Sequence, residues 1–372
     1  MKSISSVKSF LHGCLTNLSG DVRLNEKIIV IESDDWGAIR TPSKEVLRTF
    51  AKKGFDLEKS IYKVDALESG TDLENLFDLL LSVRNCYGET PIITTNSIMA
   101  NPDFERIKES DFKTYHYELF TETYKKYPNH SSNLQLLKEG IQNKLIIPQF
   151  HGREHLDVVR WLKALNQGNE NVHFSFSLGS TYSGLGDYAF MEAFDWSSRN
   201  ELSVQKEIIT DGLRIFNDVF GYHSKSFIAP CYCWDSEIES TLENSGVRII
   251  QGQRFQLSPT GSLNKYNLVS HYFGQRITKS LTCNVRNVFF EPVNNPKIDW
   301  TDQAMAGIQS AFFMKRPAVI SSHRVNYIGS IDEMNASNGL KQLHNLLNKV
   351  IRKWPDVRFV GTNQLENYFC NE

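Results

Sequence analysis

Ile28-Ile29-Val30-Ile31-Glu32-Ser33-Asp34-Asp35-Trp36-Gly37 decides the fold. Four β-branched apolar residues in a row predict a strand buried on both faces, as in a parallel sheet. The run ends in two adjacent carboxylates, an indole and a glycine. Burying two like charges inside a sheet is costly, so Asp34 and Asp35 are placed at the strand's C-terminal mouth. In parallel α/β folds ligands and chemistry gather at that mouth. The plainer alternative is a solvated turn in which one aspartate caps the next helix.

Outward from this strand the chain alternates. Further strands are predicted at 91–96, 145–150, 226–230, 247–250, 287–292, 317–322 and 357–360. Helical spacing of apolar residues fills most intervals: Val46, Leu47 and Phe50; Leu73, Leu76, Phe77 and Leu80; Leu134, Leu137 and Ile141; Val204, Ile208, Leu213 and Phe216. The pattern lapses over 99–130 and again over 166–200, which is rich in Gly, Ser, Asn and aromatics. Both read as insertions, the second as a long loop lining a groove. No element is assigned between 251 and 286. Alternating strands and helices predict an α/β fold with a mainly parallel sheet, open or closed into a barrel. No repeat or linker divides the chain, so 1–372 is expected to be one domain with its core over about 27–365.

The 145–150 strand runs straight into His151-Gly152-Arg153-Glu154-His155, and helical spacing resumes at Leu156. The two histidines are expected to bracket a first helical turn, four apart on one face. At that spacing two imidazoles can reach one metal ion; the alternative is one solvated and one carbonyl-bonded ring. The 317–322 strand ends in His323-Arg324.

The bulk numbers exclude several classes. The 372 residues carry a formal charge of −2, with 40% hydrophobic and 23% charged residues. That predicts a soluble globular protein with no nucleic-acid partner and no polybasic membrane patch. The six cysteines are Cys14, Cys86, Cys231, Cys233, Cys283 and Cys370. They form neither a CxxC pair nor a disulfide framework. The first 20 residues lack the continuous apolar core of a signal peptide, and no run is long enough to span a bilayer. A cytoplasmic protein is expected.

Three strand ends thus carry groups suited to metal-assisted hydrolysis: Asp34/Asp35, His151/His155 and His323. Two histidines and one carboxylate fill three places of a tetrahedral Zn²⁺ and leave the fourth for water. A second carboxylate takes that water's proton, and a histidine across the site protonates the leaving group.

These motifs, in order over about 27–325, resemble those of the polysaccharide deacetylase (NodB-homology) superfamily of carbohydrate esterases. The resemblance implies a distorted (β/α)7 barrel. Ser33-Asp34-Asp35 matches the first motif, implying Asp34 as general base and Asp35 as metal ligand. His151-x-x-x-His155 matches the second, implying two histidine ligands. Phe227-Ile228-Ala229-Pro230-Cys231 resembles the third, in which the N–H of Cys231 would meet the oxyanion. Asp299-Trp300 resembles the fourth, implying Trp300 as a groove wall, with Trp36 and Tyr232 as further candidates for substrate contact. Ile320-Ser321-Ser322-His323 resembles the fifth, implying His323 as general acid. The third motif's usual arginine is replaced by Ile228, with Arg153, Arg40 and Arg324 as the candidate substitutes. The implied function is removal of an N- or O-acetyl group from an acetylated carbohydrate, using Zn²⁺ or another divalent transition metal. The alternatives are a catalytically silent carbohydrate-binding or scaffold protein on the same barrel, and another metal-dependent amidohydrolase. The oligomeric state is not fixed by these motifs.

Overall fold

The apolar run at 28–31 lies in the wall of a barrel. The computed structural model describes residues 4–55, 57, 60–184 and 190–369. In it β1 (Ile28–Trp36) is buried at every position. Eight strands join β1 in one sheet: β2 (Ile93–Ile98), β3 (Ile146–Gly152), β4 (Ser226–Ile228), β5 (Ile249–Gly252), β6 (Thr282–Val285), β7 (Val288–Phe289), β8 (Ala318–His323) and β9 (Arg358–Phe359). The order is β6-β5-β4-β3-β2-β1-β8-β7, with all neighbours parallel. β9 pairs with the first two residues of β1.

The circuit closes through a single segment. Its first half, β6, runs along β5, and its second half, β7, runs along β8. Arg286 and Asn287 make the crossing: the N–H of Arg286 donates to Gly252 O at 2.8 Å, and that of Asn287 to Val319 O at 3.1 Å. With that segment as one stave, β1 to β5 and β8 complete the seven of a distorted (β/α)7 barrel.

Strand alternation layers the interior. Ile29 and Ile31 belong to the main core cluster, packed with the surrounding helices. Ile28 and Val30 pack instead with Ile249, Phe273, Val319, Val360 and Leu365, an apolar plug at the strands' N-terminal ends. Each such side chain contributes roughly 1.5–3 kcal/mol when fully buried. Above the plug the inward residues turn polar. Glu32 accepts from Asn284 Nδ2 and Arg286 Nε, both at 2.7 Å. Asn96 and Gln251 exchange amide hydrogen bonds at 2.7 and 2.8 Å. They stand on β2 and β5, which are not neighbours, so this pair crosses the lumen. Burying polar groups without partners is costly, and these are bonded except at Asn284 Oδ1, which has no hydrogen-bond partner.

Three expectations change. The 166–200 stretch is not loop throughout: Asn169 caps a helix, Glu170–Ser177; residues 185–189, including Tyr188, lie outside the described residues. The 99–130 insertion carries an antiparallel pair, Ala100–Pro102 with Tyr117–Leu119, and two short helices, Phe104–Glu109 and Phe120–Lys126. The interval 251–286 holds a hairpin, Phe255–Pro259 with Tyr266–Ser270, followed by β6. The described cysteines are free thiols, and Cys370 lies outside the described residues. Among the described residues no helix is long and apolar enough to cross a membrane.

Candidate metal centre and active site

On a regular strand Asp34 and Asp35 would face opposite sides. Here the pairing of β1 with β2 shifts register between Ser33 and Trp36, and Asp35 takes a left-handed φ of 74°. Aspartate tolerates that conformation better than most residues. The bulge turns both carboxylates into the barrel mouth, each 3% exposed.

His151 is the penultimate residue of β3. His155 lies in the following turn, and the helix begins only at Val158. The expected helical face is therefore wrong. Gly152, at φ 126°, bends the chain back, and a Cβ there would sit 3.0 Å from Glu154 O. The bend brings both Nε2 atoms to 3.3 Å from Asp35 Oδ1. The ligand atoms of Asp35, His151 and His155 all lie within 4.8 Å of one another.

This cluster fits a divalent cation. His151 Nδ1 is 2.9 Å from the carbonyl of Ile228, to which it can only donate. In the neutral ring that leaves Nε2 as a lone pair facing a carboxylate oxygen. A divalent cation between these two acceptors would remove their repulsion. Burial and the nearby Arg40 hold the His155 imidazole well below its ordinary pKa, which favours the neutral ring that a cation would need. Burial by itself would raise the Asp35 carboxyl, but Arg40 and the histidines outweigh it and hold it well below the usual range. One oxygen and two imidazole nitrogens suit Zn²⁺ or a similar transition metal. The His155 Nδ1 is buried without a hydrogen-bond partner, so no bond from that nitrogen fixes the ring, and its Nε2 faces Asp35.

Asp34 faces a different environment. Arg286 Nη1 and Nη2 grip its two oxygens, each at 2.6 Å, and Asn96 Nδ2 adds a bond at 2.8 Å. Burial would raise this carboxyl, yet the Arg286 charge and hydrogen bonds prevail and lower it to about 2. Arg286 thus stands where an arginine was sought, and none of the three candidates does. Arg40 holds Asp35 and Asp65. Arg153 holds Glu154 and Asp211. Arg324 holds Asp65 and Glu68.

β8 pairs with β1 so that His323 lies beside Asp34. His323 Nε2 is 3.8 Å from Asp34 Oδ2, and Nδ1 is 2.7 Å from Glu291 Oε1. Burial disfavours the imidazolium, but Glu291 and the aspartate pair overcome it and raise this pKa well above the ordinary histidine value. Asn326 Nδ2 fixes the other Glu291 oxygen at 2.8 Å. Glu291 was missed, although a carboxylate ending a predicted strand was a visible signal.

The remaining candidates divide. Cys231 and Tyr232 follow β4 with left-handed φ of 55° and 56°. They make a tight turn in which the N–H of Tyr232 donates to Ala229 O at 2.9 Å. The Tyr232 hydroxyl is 3.1 Å from Arg286 Nη1, which places this ring at the site. Trp36 is 3% exposed and its indole N–H donates to Ser33 Oγ at 3.0 Å; it is a core residue, not a groove wall. Trp300 starts a helix, Trp300–Phe313, and bonds to Asn295 O and Gln342 Oε1. Those bonds tie it to the preceding loop and to the helix Glu333–Lys353 rather than to the aspartate–histidine cluster.

Fold and site together define a seven-stave barrel with a candidate metal centre at its C-terminal mouth. No family model matches the chain, and no curated protein does. The solved structures it resembles include polysaccharide deacetylases. A polysaccharide deacetylase candidate from Mycobacterium smegmatis is 11% identical, with 95% of this chain and 94% of that one covered and a TM-score of 0.44. The Xyl-CE4 domain of a xylanase from the hindgut metagenome of Trinervitermes trinervoides is 10% identical, with 93% of each chain covered and a TM-score of 0.38. A CE4-family pseudoenzyme from Bacillus anthracis is 9% identical, with 92% of this chain and 66% of that one covered and a TM-score of 0.39. Likenesses this distant name no activity, so the reading below rests on the site itself and on the sequence motifs.

Proposed function

We propose that the protein is a cytoplasmic, metal-dependent deacetylase that hydrolyses an N- or O-acetyl group on a carbohydrate. The observation that carries this reading is the convergence of Asp35, His151 and His155 beside a second, separately held carboxylate. The carbohydrate comes from the motif resemblance.

Asp35 Oδ1 and the Nε2 atoms of His151 and His155 would hold the cation. A bound divalent cation would polarise the acetyl carbonyl and acidify a water molecule. Asp34 receives the proton of the attacking water through Oδ2, the oxygen nearer His323. Arg286 and Asn96 fix its orientation, which spares the reaction a reorganisation step. The N–H of Cys231 donates to the oxyanion. His323, kept protonated by Glu291, delivers a proton to the departing amine or hydroxyl oxygen. Tyr232 contributes the substrate-facing wall.

One feature favours a second reading, a catalytically silent carbohydrate-binding protein. Arg286 engages both Asp34 oxygens, and an ion-paired carboxylate is a weak base. One experiment separates the two. Purified protein, stripped of metal and reloaded with Zn²⁺, is assayed for acetate release from a panel of N- and O-acetylated sugars and simple amides. Metal-dependent release from a sugar supports the deacetylase. Metal binding with sugar affinity but no acetate supports the silent protein, and release from non-sugar amides alone points to another amidohydrolase.

A further inference from the structure

The proposed chemistry leaves Arg40 without a task. Its guanidinium is buried and reaches both oxygens of Asp35, Nη1 to Oδ2 at 3.1 Å and Nη2 to Oδ1 at 3.2 Å. Nη1 also meets Asp65 Oδ2 at 2.5 Å. The other Asp65 oxygen takes Arg324 Nη2 at 2.6 Å, and Arg324 goes on to Glu68 and to Ala38 O. Glu68 Oε1 accepts the N–H of Gly37 at 3.0 Å. The N–H of Thr41 donates to Asp65 O at 3.0 Å. This chain of buried charges therefore grips the turn 35–41 at Asp35, Gly37, Ala38, Arg40 and Thr41. It holds Asp35 in its left-handed conformation, which the strand alone would not favour.

A carboxylate can ligate a cation through one oxygen or through both. In Asp35, Oδ1 faces the two imidazoles and also accepts from Arg40 Nη2, while Oδ2 faces away from the imidazoles and accepts from Arg40 Nη1. We infer, resting on the metal reading above, that Arg40 is a positioning residue that restricts Asp35 to one ligating oxygen and thereby keeps a coordination place open. The planar fork is what matters. A lysine at 40 would retain the charge but could not span both oxygens.

The test is a Co²⁺ titration of the metal-stripped protein and of the variants Arg40→Lys and Asp65→Asn. Visible absorption reports the coordination number, competition with a chelator reports affinity, and circular dichroism reports folding. Wild type is expected to show the intense bands of four-coordinate cobalt. In Arg40→Lys the second oxygen joins, the bands fall about twofold toward a five-coordinate spectrum, and affinity drops roughly tenfold. Asp65→Asn loosens the fork from behind and moves both readouts the same way, less far; it decides the matter if Arg40→Lys does not fold. Folded variants with the wild-type spectrum and affinity overturn the inference and leave the metal centre standing. A wild type that binds no cobalt overturns the metal centre and the inference together.

Discussion

Asp34 and Asp35 are neighbours in the chain and face two different arginines. Asp34 belongs to the barrel interior: its partner Arg286 sits at the crossing between β6 and β7 and is shared with Glu32. Asp35 belongs to the rim: its partner Arg40 sits five residues on and is anchored by Asp65. A single left-handed residue in a bulged strand makes the separation. Two like charges that would otherwise repel are each neutralised by their own cation, and each faces a different set of partners. Adjacent residues of one type are therefore not equivalent sites, because their second partners come from different parts of the chain.

The comparison breaks most completely on the metal side. His151→Ala should empty the site, measured as metal content after dialysis against Zn²⁺. With it should go the several kcal/mol that a Lewis acid supplies, about 10³-fold in acetate release. Asp34→Asn sharpens the contrast: metal content should match wild type while turnover falls by about 10²–10⁴-fold. Loss of metal in that variant would show the two carboxylates to be one unit.

Arg286→Met tests the interior half as structure. It strands Asp34 and Glu32 without their buried cation, which should cost about 3–5 kcal/mol in urea denaturation. Metal binding by Asp35 should survive in whatever fraction folds.

Glu291→Gln is the mildest break. It removes the partner that raises the His323 pKa, so the imidazole should titrate at lower pH in NMR. The fold raises this pKa above its unfolded value. The pair's stabilisation is therefore complete below the unfolded histidine pKa and is lost as pH rises through the folded one. Denaturation midpoints of wild type should fall across that window, and those of Glu291→Gln should fall less. Identical pH profiles for the two proteins would rule out the dyad.

The fold was largely legible because its signal is local. A buried parallel strand needs apolar residues on both faces, and 28–31, 146–147, 249–250 and 318–320 supply them. The strand ends showed Asp34, Asp35, His151, His155 and His323 for the same reason: charge does not follow apolar residues into a sheet without cause. The helical account of His151 and His155 failed because spacing of four is ambiguous, and Gly152 turns the chain where periodicity would have continued it. Trp36 was misread because an aromatic at a strand end can face either way.

By itself the sequence determined which side chains gather at the barrel mouth, since strand periodicity and the expense of burying charge are properties of short segments. Only the tertiary structure decided who holds them. Arg286 lies 252 residues from Asp34 in the chain, in a stretch with no readable period, and Arg40 was as plausible a partner on paper. An ion pair depends on distance in space, and that distance is set by how the seventh stave closes the barrel.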